Sequence, residues 1–319
     1  MSRIKPLILS ARSRADFYHG LSRLLLAGIP ADKAVATLND TRQPKLATAI
    51  EQTARQLSSG NTFSVAGKRY GLISQQDQGL IQAGENSGAL GAVTQALAEQ
   101  YEAQAQRIAR FKSRMIFPAV ILVLGIFLAP IPGLFNGSLD ATGYLARTLL
   151  PLLLSFVGGY LLASNHMHSH TRGSTSLVDA IFNLLPVGKN LTRRLNRLYF
   201  LERLGLYLGC GVDAEKAFRL TISEILHPDY RRQYRAALTH LKSGNSISDS
   251  LRSADILDDS NDYPIISAGE AAGQLEEGLL RQASWHRQEL EQQYDLIAEW
   301  APRVIYGLVA GWFILGLVS

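Results

Sequence analysis

Two segments of the 319-residue sequence carry side chains of the kind that bind metal ions. His166, His168 and His170 alternate along the chain, and imidazoles at that spacing share one side of an extended backbone, as zinc ligands can. The aspartates within 255–262 match a calcium loop in composition, but they lack its alternating ligand positions and central glycine. We expect a polar exit from an apolar segment at the histidines and a solvated loop at the aspartates, and therefore no metal site.

A glycine-rich stretch at 60–69 resembles a phosphate-binding loop only in part. Too many residues separate Gly60 from Gly67, and Arg69 stands where a Ser or Thr would bind magnesium. The sequence context also marks no nucleophile paired with a general base. We therefore predict that the protein has no catalytic residues, needs no cofactor and is not an enzyme.

The other candidate residues belong to a pattern that occurs twice. The segment from Phe17 is repeated from Phe200, an offset of 183 residues, and a Gly-Glu-x-x-Gly element is repeated further along each copy. A repeat of this length indicates a duplicated domain, because solenoid units span roughly 20 to 50 residues. The repeated positions that we select are Gly28, Pro30, Gly84, Glu85 and Gly88 in the first copy and Gly211, Asp213, Gly269, Glu270 and Gly273 in the second.

Each copy reads as a series of helices. Apolar residues recur at helical spacing before Gly28 and Gly211, where a left-handed residue would end the helix. Pro30 suits the first position of the next helix, and Asp213 suits the N-cap of its counterpart. The period-two alternation typical of strands is missing. The sequence thus predicts two homologous all-α bundles.

The Gly-Glu-x-x-Gly elements offer two interpretations for each residue type. The glycines permit either a close approach of a neighbouring backbone or a tight turn. For Glu85 and Glu270, we favour an N-terminal cap or an ion pair within the bundle over a functional carboxylate.

Three uncharged stretches, 115–139, 148–165 and 304–319, are candidates for membrane spans. A helix needs about 20 apolar residues to cross a bilayer, and the third stretch reaches that length if Arg303 extends to the headgroups. We predict an integral membrane protein with a helical domain at 1–114, spans at 115–135, 146–165 and 301–319, a short periplasmic connection at 136–145, and a second helical domain at 166–300.

Basic residues flank the predicted spans and set the expected orientation. Residues 5–9 are too short an apolar core for a secretory signal, so the first span acts as the insertion signal. Basic flanks stay in the cytoplasm, which places the N-terminus and both large domains there and the C-terminus in the periplasm. The same cluster favours membrane lipids over nucleic acid as its partner. Its members are Arg107, Arg110, Lys112, Arg114, Arg193, Arg194 and Arg197.

Small residues mark one face of the third span. Gly307 and Gly311 form a Gly-x-x-x-Gly motif, which lets helices pack closely in a membrane. The motif is compatible with packing inside one subunit and with association between copies of the chain.

The segments 25–30, 59–62 and 84–90, with their second-copy counterparts, resemble the F-domain family of type II secretion systems. These are the inner-membrane platform proteins of bacterial type II secretion and type IV pilus machines. The early start of the first domain is similar to the shorter platforms of type IVb or conjugative pili.

The resemblance implies a non-enzymatic homo-oligomer that couples a hexameric assembly ATPase to pilin extraction from the membrane and to fibre polymerisation. Its implied partners are that ATPase, pilin or pseudopilin subunits, and other inner-membrane assembly proteins. The alternative is a subunit of a small oligomeric transporter or channel. That alternative has little support, since the uncharged stretches 115–139, 148–165 and 304–319 offer no Asp, Glu, His, Lys or Arg to carry ions or protons through the membrane.

Overall fold

The computed structural model describes residues 9–39, 43–128, 186–257 and 261–318, together with positions 131 and 142. Within these residues the chain forms helices and no strand, which confirms the all-helical prediction. The first copy contains α1 (Ala11–Leu26), α2 (Ala31–Thr37), α3 (Pro44–Ser58), α4 (Phe63–Tyr70), α5 (Gln78–Ser87) and α6 (Leu90–Leu128). The second contains α7 (Pro186–Gly209), α8 (Ala214–Glu224), α9 (Pro228–Lys242), α10 (Ile247–Ser253), α11 (Asp262–Ala271) and α12 (Leu275–Val318).

The turn after the first helix of each copy follows the same plan with different residues. Gly28 and Gly211 adopt left-handed conformations with φ of 81° and 70°. Pro30 lies one position before the expected one, because it is the N-cap and α2 begins at the next residue. Asp213 is the N-cap of α8, and its carboxylate accepts hydrogen bonds from the backbone N–H groups of the second and third helical residues at 3.1 and 3.4 Å.

The chain divides into two compact units, and the first contains most of both copies. It comprises residues 1–106 and 193–287. Aromatic side chains fill its core: Phe17 packs against Phe63 at 6.4 Å between ring centroids, and Phe200 packs edge-on against Phe218 at 5.6 Å. Burial of such rings is the main source of stability for short helices, which are marginal in water on their own.

The second unit comprises residues 107–192 and 288–319 and contains the distal parts of the two longest helices. α6 is 39 residues long, with Pro118 in its interior, and is long and apolar enough to cross a membrane. α12 is 44 residues long, with Pro302 in its interior, and runs through most of the expected span at 301–319. The expected span at 146–165 and the histidines at 166–170 lie outside the described residues.

Candidate functional site: the duplicated polar core

The two glutamates of the Gly-Glu-x-x-Gly elements cap the helix that precedes them in the chain. Glu85 accepts hydrogen bonds from the first two backbone N–H groups of α4, with 2.9 Å to Ser64 N. Glu270 accepts from the first two of α10, at 2.6 Å from Ile247 N and 2.9 Å from Ser248 N. These N–H groups have no partner within their own helix, and a carboxylate also complements the positive end of the helix dipole. Glu85 therefore connects α5 to α4, and Glu270 connects α11 to α10.

The two glycines of each element differ in role: one allows close packing and the other makes a tight turn. A Cβ atom at Gly84 would lie 2.9 Å from a methyl group of Val93, and one at Gly269 would lie 3.1 Å from the Gln274 carbonyl oxygen. Gly88 and Gly273 have open space around them but adopt φ of 75° and 71°. Thus the first glycine of each element allows close packing, and the second makes a left-handed turn.

A buried aspartate lies seven residues before each of these elements, at the start of α5 and of α11. Asp77 is completely buried and accepts hydrogen bonds from the hydroxyls of Ser74 and Tyr101, both at 2.6 Å. Arg14 lies 3.8 Å from the same carboxylate and donates to the Tyr101 hydroxyl at 3.1 Å. Helices α1 and α6 therefore meet at the start of α5 through charged and polar groups.

The second copy contains the same arrangement. Asp262 is also completely buried, and it lies 3.3 Å from Arg197 and 2.8 Å from His286. Gln282 donates a hydrogen bond to it at 2.5 Å. The triad Arg14–Asp77–Tyr101 thus recurs as Arg197–Asp262–His286, at the offsets of the sequence repeat.

Sequence reasoning missed this duplicated polar core. It assigned Asp262 to a solvated loop and Arg197 to a membrane flank, and it did not select Asp77. In the structure Asp262 is buried, because Arg197 and His286 supply the polar partners that a buried carboxylate needs. The recurrence of an Arg and an Asp at the offsets of the repeat was the available signal.

One arginine connects the two copies within the first unit. Arg203 on α7 has 2% of its surface exposed, and its Nη2 atom lies 2.6 Å from Asp77 of the first copy. The same nitrogen lies 3.3 Å from Gln100 on α6. Its Nε atom lies 3.8 Å from Glu224 of the second copy.

Burial and charge act against each other at this link. Burial works against the charge of Arg203, but a neighbouring tyrosine and two carboxylates outweigh it and raise the pKa of the guanidinium well above its usual value. Burial also raises the pKa of the Glu224 carboxyl, opposed by Arg203 and by hydrogen bonds from Tyr199 and Tyr207. Arg203 therefore stays charged in a site from which water is largely excluded.

Each copy contains a second pair of an acidic and a basic side chain that joins its first helix to its long helix. The acidic residue is on the long helix in the first copy and on the first helix in the second. His19 on α1 pairs with Glu102 on α6 at 2.8 Å, whereas Glu202 on α7 pairs with Arg287 on α12. The positions are equivalent, but the acidic and basic partners have exchanged helices. Pairing α7 with α6 would bring the carboxylates of Glu202 and Glu102 together, so this exchange favours the native pairing.

Three of the predicted membrane-flanking arginines form ion pairs with α12 inside the second unit. Arg107 lies 2.7 Å from Glu291, and Arg110 pairs with the same carboxylate. Arg114 donates to the backbone carbonyl of Asp295 at 2.9 Å and lies 4.0 Å from its carboxylate. These contacts join α6 to α12.

The other members of the predicted basic cluster are more dispersed. Lys112 is exposed, Arg194 is half-buried, and Arg193 pairs with Asp255 at 2.5 Å. Asp255 thereby takes part in an ion pair, and the described residues contain no group of three or more potential ligands that could hold a metal. Gly307 and Gly311 have open space around them within the part of α12 that is described.

Within the described residues the fold is all-helical, its polar core recurs in both copies of the sequence repeat, and one helix is long and apolar enough to cross a membrane. The family model for "Type II secretion system (T2SS), protein F" matches residues 17–135 and again residues 200–319. The chain belongs to this family.

Named relatives come from both kinds of machine. The chain is 23% identical to the type IV pilus assembly protein PilC of Thermus thermophilus, over 95% of this chain and 80% of the relative. It is 20% identical to the type II secretion system protein F of Vibrio cholerae, over 91% and 76%. It is 24% identical to the protein transport protein HofC homolog of Escherichia coli, over 95% and 81%.

Proposed function

We propose that this chain is the inner-membrane platform protein of a bacterial type IV pilus or type II secretion machine. In this role it couples a cytoplasmic assembly ATPase to the extraction of pilin or pseudopilin subunits and to fibre polymerisation. The observation that carries the proposal is the two-fold match to the family, combined with helices that continue from each copy into apolar segments.

The contacts in the second unit suit this role. Helices α6 and α12 are the continuous connections from the two copies toward the predicted spans, and ion pairs of Arg107 and Arg110 with Glu291 join them. Because a helix is stiff along its axis, a displacement applied to either copy would pass along it. The joined helices would then move together.

The proposed topology keeps three spans, at 115–135, 146–165 and 301–319, with both helical domains in the cytoplasm. Reporter fusions test it. Alkaline phosphatase fused after residue 140 or 319 should be active, and the same enzyme fused after residue 190 should be inactive. Activity at residue 190 would contradict the proposed orientation.

Deletion in the native host tests the function. Without the chain, pilins or pseudopilins should accumulate in the inner membrane and no fibre should form, and a plasmid copy should restore assembly. Detergent-solubilised full-length chain should also copurify with the assembly ATPase of the same machine. Fibre assembly or secretion that continues in the deletion strain would refute the platform role, and in that case a transport assay in vesicles would test the channel alternative.

A further inference from the structure

The contact between the two copies depends on a buried pair of opposite charges that come from different copies. Arg203 of the second copy lies 2.6 Å from Asp77 of the first. Separating such a pair is strongly disfavoured when each charge is left buried and alone. The cost falls if each charge finds another partner within its own copy.

Both charges have such a partner nearby. Arg14 lies 3.8 Å from Asp77 and belongs to the first copy. Glu224 lies 3.8 Å from Nε of Arg203 and belongs to the second. Each copy thus contains one guanidinium and one carboxylate at this place, and each is neutral there by itself.

The hydrogen bonds around these four charges allow each charge to pair within its own copy. Nε and Nη1 of Arg203 make no hydrogen bond within the described residues, and Nε, at 3.8 Å from the Glu224 carboxylate, remains available to it. The hydroxyls of Tyr199 and Tyr207 hold the Glu224 carboxylate in position. On the other side, Tyr101 binds both Asp77 and Arg14.

Within the described residues, the link from Arg203 to Asp77 has no counterpart that extends from the first copy to the second. The first-copy position that corresponds to Arg203 is Gly20, which has no side chain to extend toward the second copy. Gly20 packs closely against Leu38 of its own copy, where an added Cβ would lie 2.6 Å from a methyl group. Among the described residues, the charged contact between the copies that the structure shows therefore comes from the side chain of Arg203.

We propose that Arg203 is a partner-exchange switch between the two copies. In the closed arrangement it binds Asp77, and in an open arrangement it binds Glu224 while Asp77 binds Arg14. The exchange lets the copies separate without leaving a buried charge unpaired, so the charged contact adds little to the free-energy cost of opening.

The chain contains its own reporter for this opening. Cys210 is the only cysteine in the sequence, the residue is 8% exposed, and it lies against Ser87 of the first copy. Opening the contact would expose its thiol. The rate at which a maleimide reagent labels the folded, full-length protein in detergent therefore measures the opening equilibrium.

Two substitutions next to the same arginine should change this rate in opposite directions. Asp77→Asn leaves the guanidinium groups of Arg14 and Arg203 close together without their shared carboxylate in the closed arrangement, whereas opening separates them, so it should raise the labelling rate about tenfold. Glu224→Gln removes the partner that Arg203 needs in the open arrangement and should lower the rate about tenfold, as should Arg14→Gln on the other side. Each change corresponds to about 1.4 kcal/mol in the opening equilibrium.

The matched control is Glu202→Gln, which removes an ion pair with Arg287 inside one copy and should leave the rate unchanged. A rate that rises or stays constant in Glu224→Gln and Arg14→Gln would overturn the switch. So would an equal rise in the control and in Asp77→Asn, because labelling would then report general loosening. The inference goes beyond the platform role: labelling does not depend on fibre assembly, so either proposal can fail without the other.

Discussion

Arg107 on α6 and Glu291 on α12 are 184 residues apart in the sequence and form an ion pair with each other at 2.7 Å. The pair joins a helix of the first copy to a helix of the second. Arg110 binds the same carboxylate, and Arg107 lies over the ring of Tyr294 at 5.5 Å. Glu291 is therefore the centre of the contact between the two long helices.

Removing the Glu291 charge should weaken this contact. In Glu291→Gln, two guanidinium groups lose their shared partner and face each other, which should cost about 1 kcal/mol for a half-exposed network. Thermal unfolding of the detergent-purified chain measures the change. Glu299→Gln is the control, because Glu299 pairs with Arg303 one turn away on the same helix, α12, and both are exposed. Equal shifts in the two variants would show that the interhelical pair adds nothing.

The capping glutamates should contribute to stability through their charge. Glu270→Gln keeps the shape of the side chain but loses the charge at the N-terminus of α10, and should cost about 1 kcal/mol. Hydrogen exchange at the amides of Ile247 and Ser248 should accelerate. Glu51→Gln, which removes an exposed pair with Arg55 on α3, should cost far less. Unchanged exchange at the two amides would contradict the capping role.

The second glycine of each element should be sensitive to backbone conformation and not to side-chain size. Gly88→Ala should cost about 1–2 kcal/mol, because an L-residue is strained at φ of 75°. Gly88→Asn should cost less, since Asn tolerates the left-handed region better than other residues. Thermal unfolding separates the two, and a larger loss in Asn than in Ala would indicate a packing role. At Gly84 the order should depend on size, because Val93 lies close.

Stability should change with pH at Glu224. Burial raises the pKa of this carboxyl in the folded chain above its value in the unfolded chain. Its contribution to stability is therefore fully present below the unfolded pKa and is lost as pH rises through the folded pKa. Glu224→Gln should then raise the unfolding temperature relative to wild type at neutral pH, and the difference should shrink toward pH 4. A constant difference across this range would show that Glu224 does not titrate with folding.

The sequence predicted the local features because they depend on nearby residues. The left-handed glycines at 28 and 211 and the N-cap at Asp213 follow from the conformational preferences of single residues and their neighbours. The one-residue error at Pro30 is of the same local kind, since proline suits both the N-cap and the first helical position. The motifs of the sequence repeat also indicated the family that the comparison with the family model then showed.

Only the tertiary structure identified the buried charges and their partners. Asp77 and Arg203 are 126 residues apart, and neither has a local pattern that marks it as buried or paired. A charge is stable in a protein interior only when folding brings an opposite charge to it, and that depends on the packing of whole helices. For the same reason, the sequence marked Arg107 and Arg110 as a membrane flank, whereas their pairing with Glu291 required α6 and α12 to lie side by side. The sequence alone thus determined the duplicated helical domain and its turns, and the packing of helices distant in sequence decided which charges meet.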